Sequence, residues 1–163
     1  KNIFMISIWR QALEGKITNG IAKGHDTELS EQIFRQQFRS TVKLHVESGK
    51  VVYVWEPVPG ARDSVPNTMA RAILEGRSSA NNYTTKEYFS RNNYFFRAVN
   101  ESKTSIAYTF SPSKVLCQKG DCLTSISGRP LYTDNNHLAF SFSSYWAKHL
   151  SVQLDRKRVG DEL

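Results

Sequence analysis

Ile3-Phe4-Met5-Ile6-Ser7-Ile8-Trp9 and Val51-Val52-Tyr53-Val54-Trp55 are two nearly unbroken apolar runs. A strand covered on both faces by helices reads this way, whereas a half-exposed antiparallel strand alternates. Between the runs, Leu29, Ile33, Phe34, Phe38, Val42 and Val46 recur at steps of about four residues, and Gly49 stands where a helix C-cap belongs. Strand, helix, strand is a βαβ unit, and it sets two strands side by side in a parallel sheet. The chain must leave that sheet at Glu56-Pro57-Val58-Pro59-Gly60, since two prolines cannot sit in a central strand.

Outward from this unit the pattern continues in kind. A short helix is predicted from about Asn67 to Glu75, stopped by Gly76. Thr84-Thr85-Lys86-Glu87 has the Thr-x-x-Glu spacing of a capping box and opens a helix that carries Tyr88, Phe89, Phe95, Phe96 and Val99. Ser105 to Phe110 reads as a third strand, residues 111–130 as a loop, and the residues after His137 as an aromatic helix with Phe140, Trp146, Leu150 and Leu154. The class is α/β with a parallel sheet.

The 163 residues fit one domain, which is large enough to hide about 70% of its unfolded surface. With 39% hydrophobic and 23% charged residues, 9 Gly and 5 Pro, the chain is neither collagenous nor disordered. No run approaches 18 apolar residues, so no membrane span is expected. The net charge of +7 would suit an anionic polysaccharide, a lipid headgroup or a nucleic acid, but the charge is spread thinly. Its densest run, Arg156-Lys157-Arg158, reads as a solvated tail, and no nucleic-acid partner is expected. Lys1 is preceded by no initiator Met or signal pattern, which suggests a piece of a longer chain.

Cys117 and Cys122 have four residues between them, among them Lys119-Gly120-Asp121. No second pair exists to complete a zinc site, and the spacing is not that of a C-x-x-C redox motif. A local disulfide in an oxidising compartment such as a periplasm is the sharper reading, with two free thiols the plainer one.

Ligands of an open parallel sheet bind beyond the carboxyl ends of its strands. Asp134 and His137 fall after the third strand, and an i, i+3 turn lets the carboxylate accept a hydrogen bond from one ring nitrogen. The other nitrogen can then take a proton from a nucleophile. The competing reading of Asp134 is a cap on the following helix. His25, His45 and His149 read as structural or solvated.

Gly128-Arg129-Pro130-Leu131-Tyr132-Thr133-Asp134-Asn135-Asn136-His137-Leu138 resembles the last sequence block of the SGNH hydrolase superfamily. Phe110-Ser111-Pro112 with Cys117 and Cys122, the Glu56-Pro57-Val58-Pro59 exit and Ile6-Ser7-Ile8-Trp9-Arg10 resemble one branch. That branch is the extracytoplasmic SGNH domain at the C-terminus of membrane acyltransferase-3 proteins, which O-acetylate bacterial cell-surface glycans.

The resemblance implies a flavodoxin-like three-layer sandwich, a Ser-His-Asp site using His137 and Asp134, and no metal or cofactor. It also implies a glycan acceptor, an acyl donor, an upstream membrane domain on the same polypeptide and a periplasmic location. The Gly-Asp-Ser block of such sites does not occur here, so residues 1–163 read as the C-terminal part of one SGNH domain that lacks its N-terminal strands. Ser64 follows the wrong strand and reads as a turn serine before a Pro-led helix. Trp9 or Arg10 is expected to line the site. A secreted carbohydrate esterase and a non-catalytic glycan-binding module are the alternatives.

Overall fold

In the computed structural model, which describes residues 1–6, 27–77, 83–149 and 151, the βαβ reading holds. Strand β1 (Asn2–Met5), helix α1 (Thr27–Glu47) and strand β2 (Val51–Trp55) follow in order. β1 and β2 are parallel, with Phe4 opposite Tyr53 and Met5 opposite Val54. α1 ends where Gly49 takes φ +69°. The Gly49 and Lys50 amides donate to the carbonyls of Val46 and His45, a Schellman cap that a residue with a Cβ would strain. α2 (Val65–Leu74) stops the same way at Gly76, as its sequence requires.

The residues group into two compact units. The first comprises Lys1–Pro57 and Phe89–Ser111. It holds the sheet β1-β2-β4, whose third strand, β4 (Tyr108–Phe110), also runs parallel to β2. β4 is shorter than the six residues expected. One face of the sheet packs on helices: Val52 and Val54 join Phe38 and Val42 of α1 and Tyr94, Phe95 and Ala98 of a later helix in one core cluster. Phe38 and Phe95 meet edge to face at 5.9 Å, a geometry worth about 1 kcal/mol beyond its area. Phe4, Tyr53, Trp55, Tyr108 and Phe110 project from the opposite face, as the two-residue alternation of a strand demands.

The apolar reading of β1 as a strand covered on both faces competes with the edge position that missing N-terminal strands imply. Phe4 is 52% and Ile6 64% exposed, and among the described residues β1 pairs with β2 alone at the sheet edge, as a domain lacking its N-terminal strands implies. The helix predicted from Thr84 through Val99 is two, α3 (Thr85–Arg91) and α4 (Asn93–Glu101). Asn92 caps the second with its backbone carbonyl, which accepts from Phe95 and Phe96.

The second unit comprises Val58–Tyr88 and Pro112–Leu163. Its core joins Ala61, Val65 and Met69 to Leu116, Leu131, Tyr132 and Trp146. Residues 111–130 are not a plain loop. They form α5 (Ser113–Leu116), a hairpin of β5 (Cys117–Gln118) and β6 (Asp121–Cys122), and a second hairpin of β7 (Ser125–Ile126) and β8 (Arg129–Pro130). Lys119 and Gly120 both have positive φ, 53° and 95°, which is the two-residue turn that matches the twist of paired strands. Cys117 and Cys122 are directly opposite in this hairpin, one step out from the pair that closes the turn, where side chains lie closest. They form a disulfide with S–S 1.99 Å and Cα–Cα 3.9 Å. β3 (Tyr83–Thr84) adds to β6 as a third strand. No described helix is long and apolar enough to cross a membrane.

Candidate active site

The segment Tyr132–Leu138 is a closed turn. Tyr132 bridges Leu138 in antiparallel fashion, and the Thr133 amide donates to the His137 carbonyl at 2.8 Å. Within it, Asp134 uses its two carboxylate oxygens differently. Oδ1 accepts from the backbone amides of Asn136 and His137, both at 2.8 Å, an Asx turn that fixes the local chain. Oδ2 meets Nδ1 of His137 at 2.6 Å. A carboxylate can only accept, so Nδ1 carries the hydrogen, and in the neutral ring Nε2 presents a lone pair. The two side chains are 57% and 44% exposed, so the pair faces solvent.

Partial burial pushes the Asp134 carboxyl up, but the two amide donors and the imidazole outweigh it and hold its pKa near 2. It is therefore ionised at any pH at which His137 could act as a base. A carboxylate of fixed charge and position orients the ring and stabilises the imidazolium form.

The segment after β2 holds this turn from below. The Ala61 amide donates to the Asn135 carbonyl at 2.7 Å, and the Val65 amide to the Asp134 carbonyl at 2.9 Å. The buried Tyr132 hydroxyl donates to the Pro59 carbonyl, and burial pushes its pKa up. Gly60 lets the two chains approach: a Cβ there would stand 3.0 Å from the Asn135 carbonyl oxygen. At Thr84 the capping box is formed in full. The Thr84 amide donates to Glu87 Oε2 at 3.0 Å, and the Glu87 amide to Thr84 Oγ1 at 3.1 Å. With the Thr84 amide, the Thr84 hydroxyl and Arg62 all donating to it, Glu87 is held near pKa 2.

Asp134 and His137 thus come together as the spacing requires. Trp9 and Arg10, expected to line the site, lie outside the described residues, as do His25, Leu150, Leu154 and the run Arg156-Lys157-Arg158. His45 lies in the last turn of α1, and the ring of His149 packs edge-on against Tyr145 at 4.2 Å. Ser64 precedes α2, and its carbonyl accepts from Thr68. Its neighbour Val65 binds Asp134, so Ser64 stands nearer the pair than strand order suggested. The sequence reading missed the supporting residues Pro59, Gly60 and Ala61. The signal present was Pro-Val-Pro-Gly, a stretch unable to join a sheet and ending in a residue without a Cβ. Among the described residues no three His, Cys, Asp or Glu side chains gather in a set able to hold a metal ion.

A parallel α/β sheet and an Asp-x-x-His pair are what the SGNH resemblance implies. The chain belongs to the family of SGNH domains fused to AT3 domains, whose model matches residues 1–151. Among solved structures it is similar to the periplasmic domain of a lipopolysaccharide acetyltransferase of Salmonella ser. Paratyphi A. That similarity has a TM-score of 0.52 at 19% identity and covers 86% of this chain and 53% of the other, so this chain spans about half the neighbour's length. Among curated proteins there is no significant match.

Proposed function

We propose that residues 1–163 are the C-terminal part of one extracytoplasmic SGNH domain in a membrane-bound O-acyltransferase that O-acetylates a bacterial cell-surface polysaccharide. The observation that carries this reading is the Asp134–His137 pair, oriented through Nδ1 with both side chains partly open to solvent. Membership in a family of domains fused to AT3 domains supports an upstream membrane domain on the same polypeptide. Similarity to a periplasmic lipopolysaccharide acetyltransferase domain supports the periplasmic side and the acetyl group.

In this mechanism a serine from the part of the polypeptide before Lys1 attacks the carbonyl carbon of the acyl donor. Nε2 of His137 takes the serine proton and passes it to the leaving group, and an acetyl-serine ester remains. A sugar hydroxyl then attacks that ester while Nε2 takes its proton, and the proton returns to the serine oxygen as the C–O bond breaks. Asp134 holds the tautomer and the charge of the ring throughout. No metal or cofactor is required by these steps.

The test is glycan O-acetylation by the intact protein, read from acetyl signals on the isolated polysaccharide. His137→Ala is expected to lower it by about 10²–10⁴-fold, with Asp134→Asn following it down. Ser64→Ala should retain acetylation. Full acetylation by His137→Ala would leave a glycan-binding module as the better reading. The exposure of His137 favours one second reading, an esterase in which water replaces the sugar. Acetyl release without transfer to added sugar would select it.

A further inference from the structure

Phe140 is 88% exposed, three residues beyond His137. The aromatic residues that follow it turn inward: Phe142 and Tyr145 pack against the second core, and Trp146 is 7% exposed. The outward ring is also held on a fixed backbone. The Ala139 amide donates to the Leu131 carbonyl at 2.8 Å, and the Phe142 amide to the Ala139 carbonyl at 3.0 Å, one bond on either side of Phe140. Asn135 and Asn136 are exposed as well, with their backbones pinned by Ala61 and by Asp134 Oδ1.

We propose that Phe140, Asn135 and Asn136 form the acceptor subsite, in which one face of a neutral sugar ring lies on Phe140 and the two amides hold its hydroxyls. The inference rests on the transferase reading and names what that site recognises. Three residues of chain place the Cα atoms of His137 and Phe140 within roughly 11 Å, a span that one sugar ring with its hydroxyl can bridge. A pyranose offers a C–H face that a flat apolar ring can desolvate, and a rim of hydroxyls that donate and accept as a carboxamide does. Between Leu131 and Phe140 the sequence carries no Lys or Arg, and Asp134 and His137 are committed to each other. A phenyl ring with two rotatable side-chain bonds, on a hydrogen-bonded turn, also costs little entropy to immobilise.

The experiment measures transfer by the intact acyltransferase as a function of acceptor concentration, using neutral oligosaccharides from its own glycan. Phe140→Ala is expected to raise the acceptor KM about tenfold while kcat falls less than threefold, and Phe140→Trp to recover most of the loss. Asn136→Ala should raise KM severalfold. An unchanged melting temperature for Phe140→Ala would show that the ring serves no core. A KM within twofold of wild type, or equal losses in KM and kcat that Phe140→Trp does not repair, overturns the subsite. If those results coincide with an inactive His137→Ala protein, the transferase reading survives and only the subsite falls. Full transfer by His137→Ala overturns both.

Discussion

Replacing Gly60 with alanine is a sharp probe of how the Asp134–His137 turn is supported. The new Cβ would lie 3.0 Å from the Asn135 carbonyl oxygen and 3.8 Å from the Asn136 Cβ. Ordinary contact would need that oxygen to retreat by a few tenths of an ångström. It cannot do so freely, because it also accepts the Ala61 hydrogen bond at 2.7 Å from the residue next to the substitution. Overpacking of this kind costs about 1–3 kcal/mol. For a domain of this size each kcal/mol lowers Tm by roughly 2–4 °C. Asn135 is bonded directly to Asp134, so the same push displaces the carboxylate that orients His137, and transfer should fall by about tenfold or more. The assay pairs thermal unfolding with the imidazole resonances of His137, whose Nδ1 proton reports the bond to Asp134. A Gly60→Ala protein with wild-type Tm and unmoved His137 resonances would refute the close approach and the support it implies.

Other outcomes follow from the same geometry. Tyr132→Phe leaves the buried Pro59 carbonyl without its donor and should cost about 1–3 kcal/mol, read by denaturant unfolding. Reduction of the Cys117–Cys122 bridge, or Cys117→Ser with Cys122→Ser, should cost about 2 kcal/mol, since the closed loop is short, and should leave the turn at Lys119-Gly120 intact by NMR. Asp134 has its carboxyl pKa lowered from the ordinary value near 4 to about 2, so the stability it lends is complete above pH 4 and drains away as pH falls toward 2. Asp134→Asn should flatten the stability profile in that window, and a profile unchanged by it would mean that the carboxylate is not held as described.

The parallel sheet was legible because two βαβ strands and the helix between them speak in different periods, and because Gly49 and Gly76 mark helix ends that need a left-handed residue. The edge position of β1 was legible from the missing N-terminal strands and not from its own run of residues. An apolar strand reads alike whether or not both its faces are covered, since hydrophobicity records what a strand can bury and not what covers it. The β5–β6 hairpin was hidden for another reason. Two-residue strands are too short for any alternation to show, and the turn at Lys119-Gly120 reads as loop until its partner strands are seen. The missed break at Asn92 has its own cause, because the aromatic residues on either side keep a helical spacing across it.

The site was legible in its spacing but misjudged in its logic. Asp134 could be read either as a helix cap or as the partner of a catalytic histidine, and the two readings competed. No helix starts at Asp134, since the next helical turn opens at Phe140 behind Ala139, so the amides on Oδ1 belong to an Asx turn and not to a helix cap. A carboxylate has two oxygens with room for about four donors, and three donors reach Asp134: two amides at Oδ1 and the imidazole at Oδ2. The Asx turn is what makes the orienting bond dependable, since Oδ1 is fixed to the amide of the same residue whose ring Oδ2 must hold. Remove the turn bonds and the carboxylate can rotate about its side chain; remove the imidazole and the turn remains. Local turn chemistry of this kind gives a solvent-facing pair its alignment without burial, which explains how a site half open to water can keep an oriented histidine. It also explains why the support beneath it comes from backbone groups of Ala61 and Val65, which impose little on side-chain identity and so leave little trace in sequence.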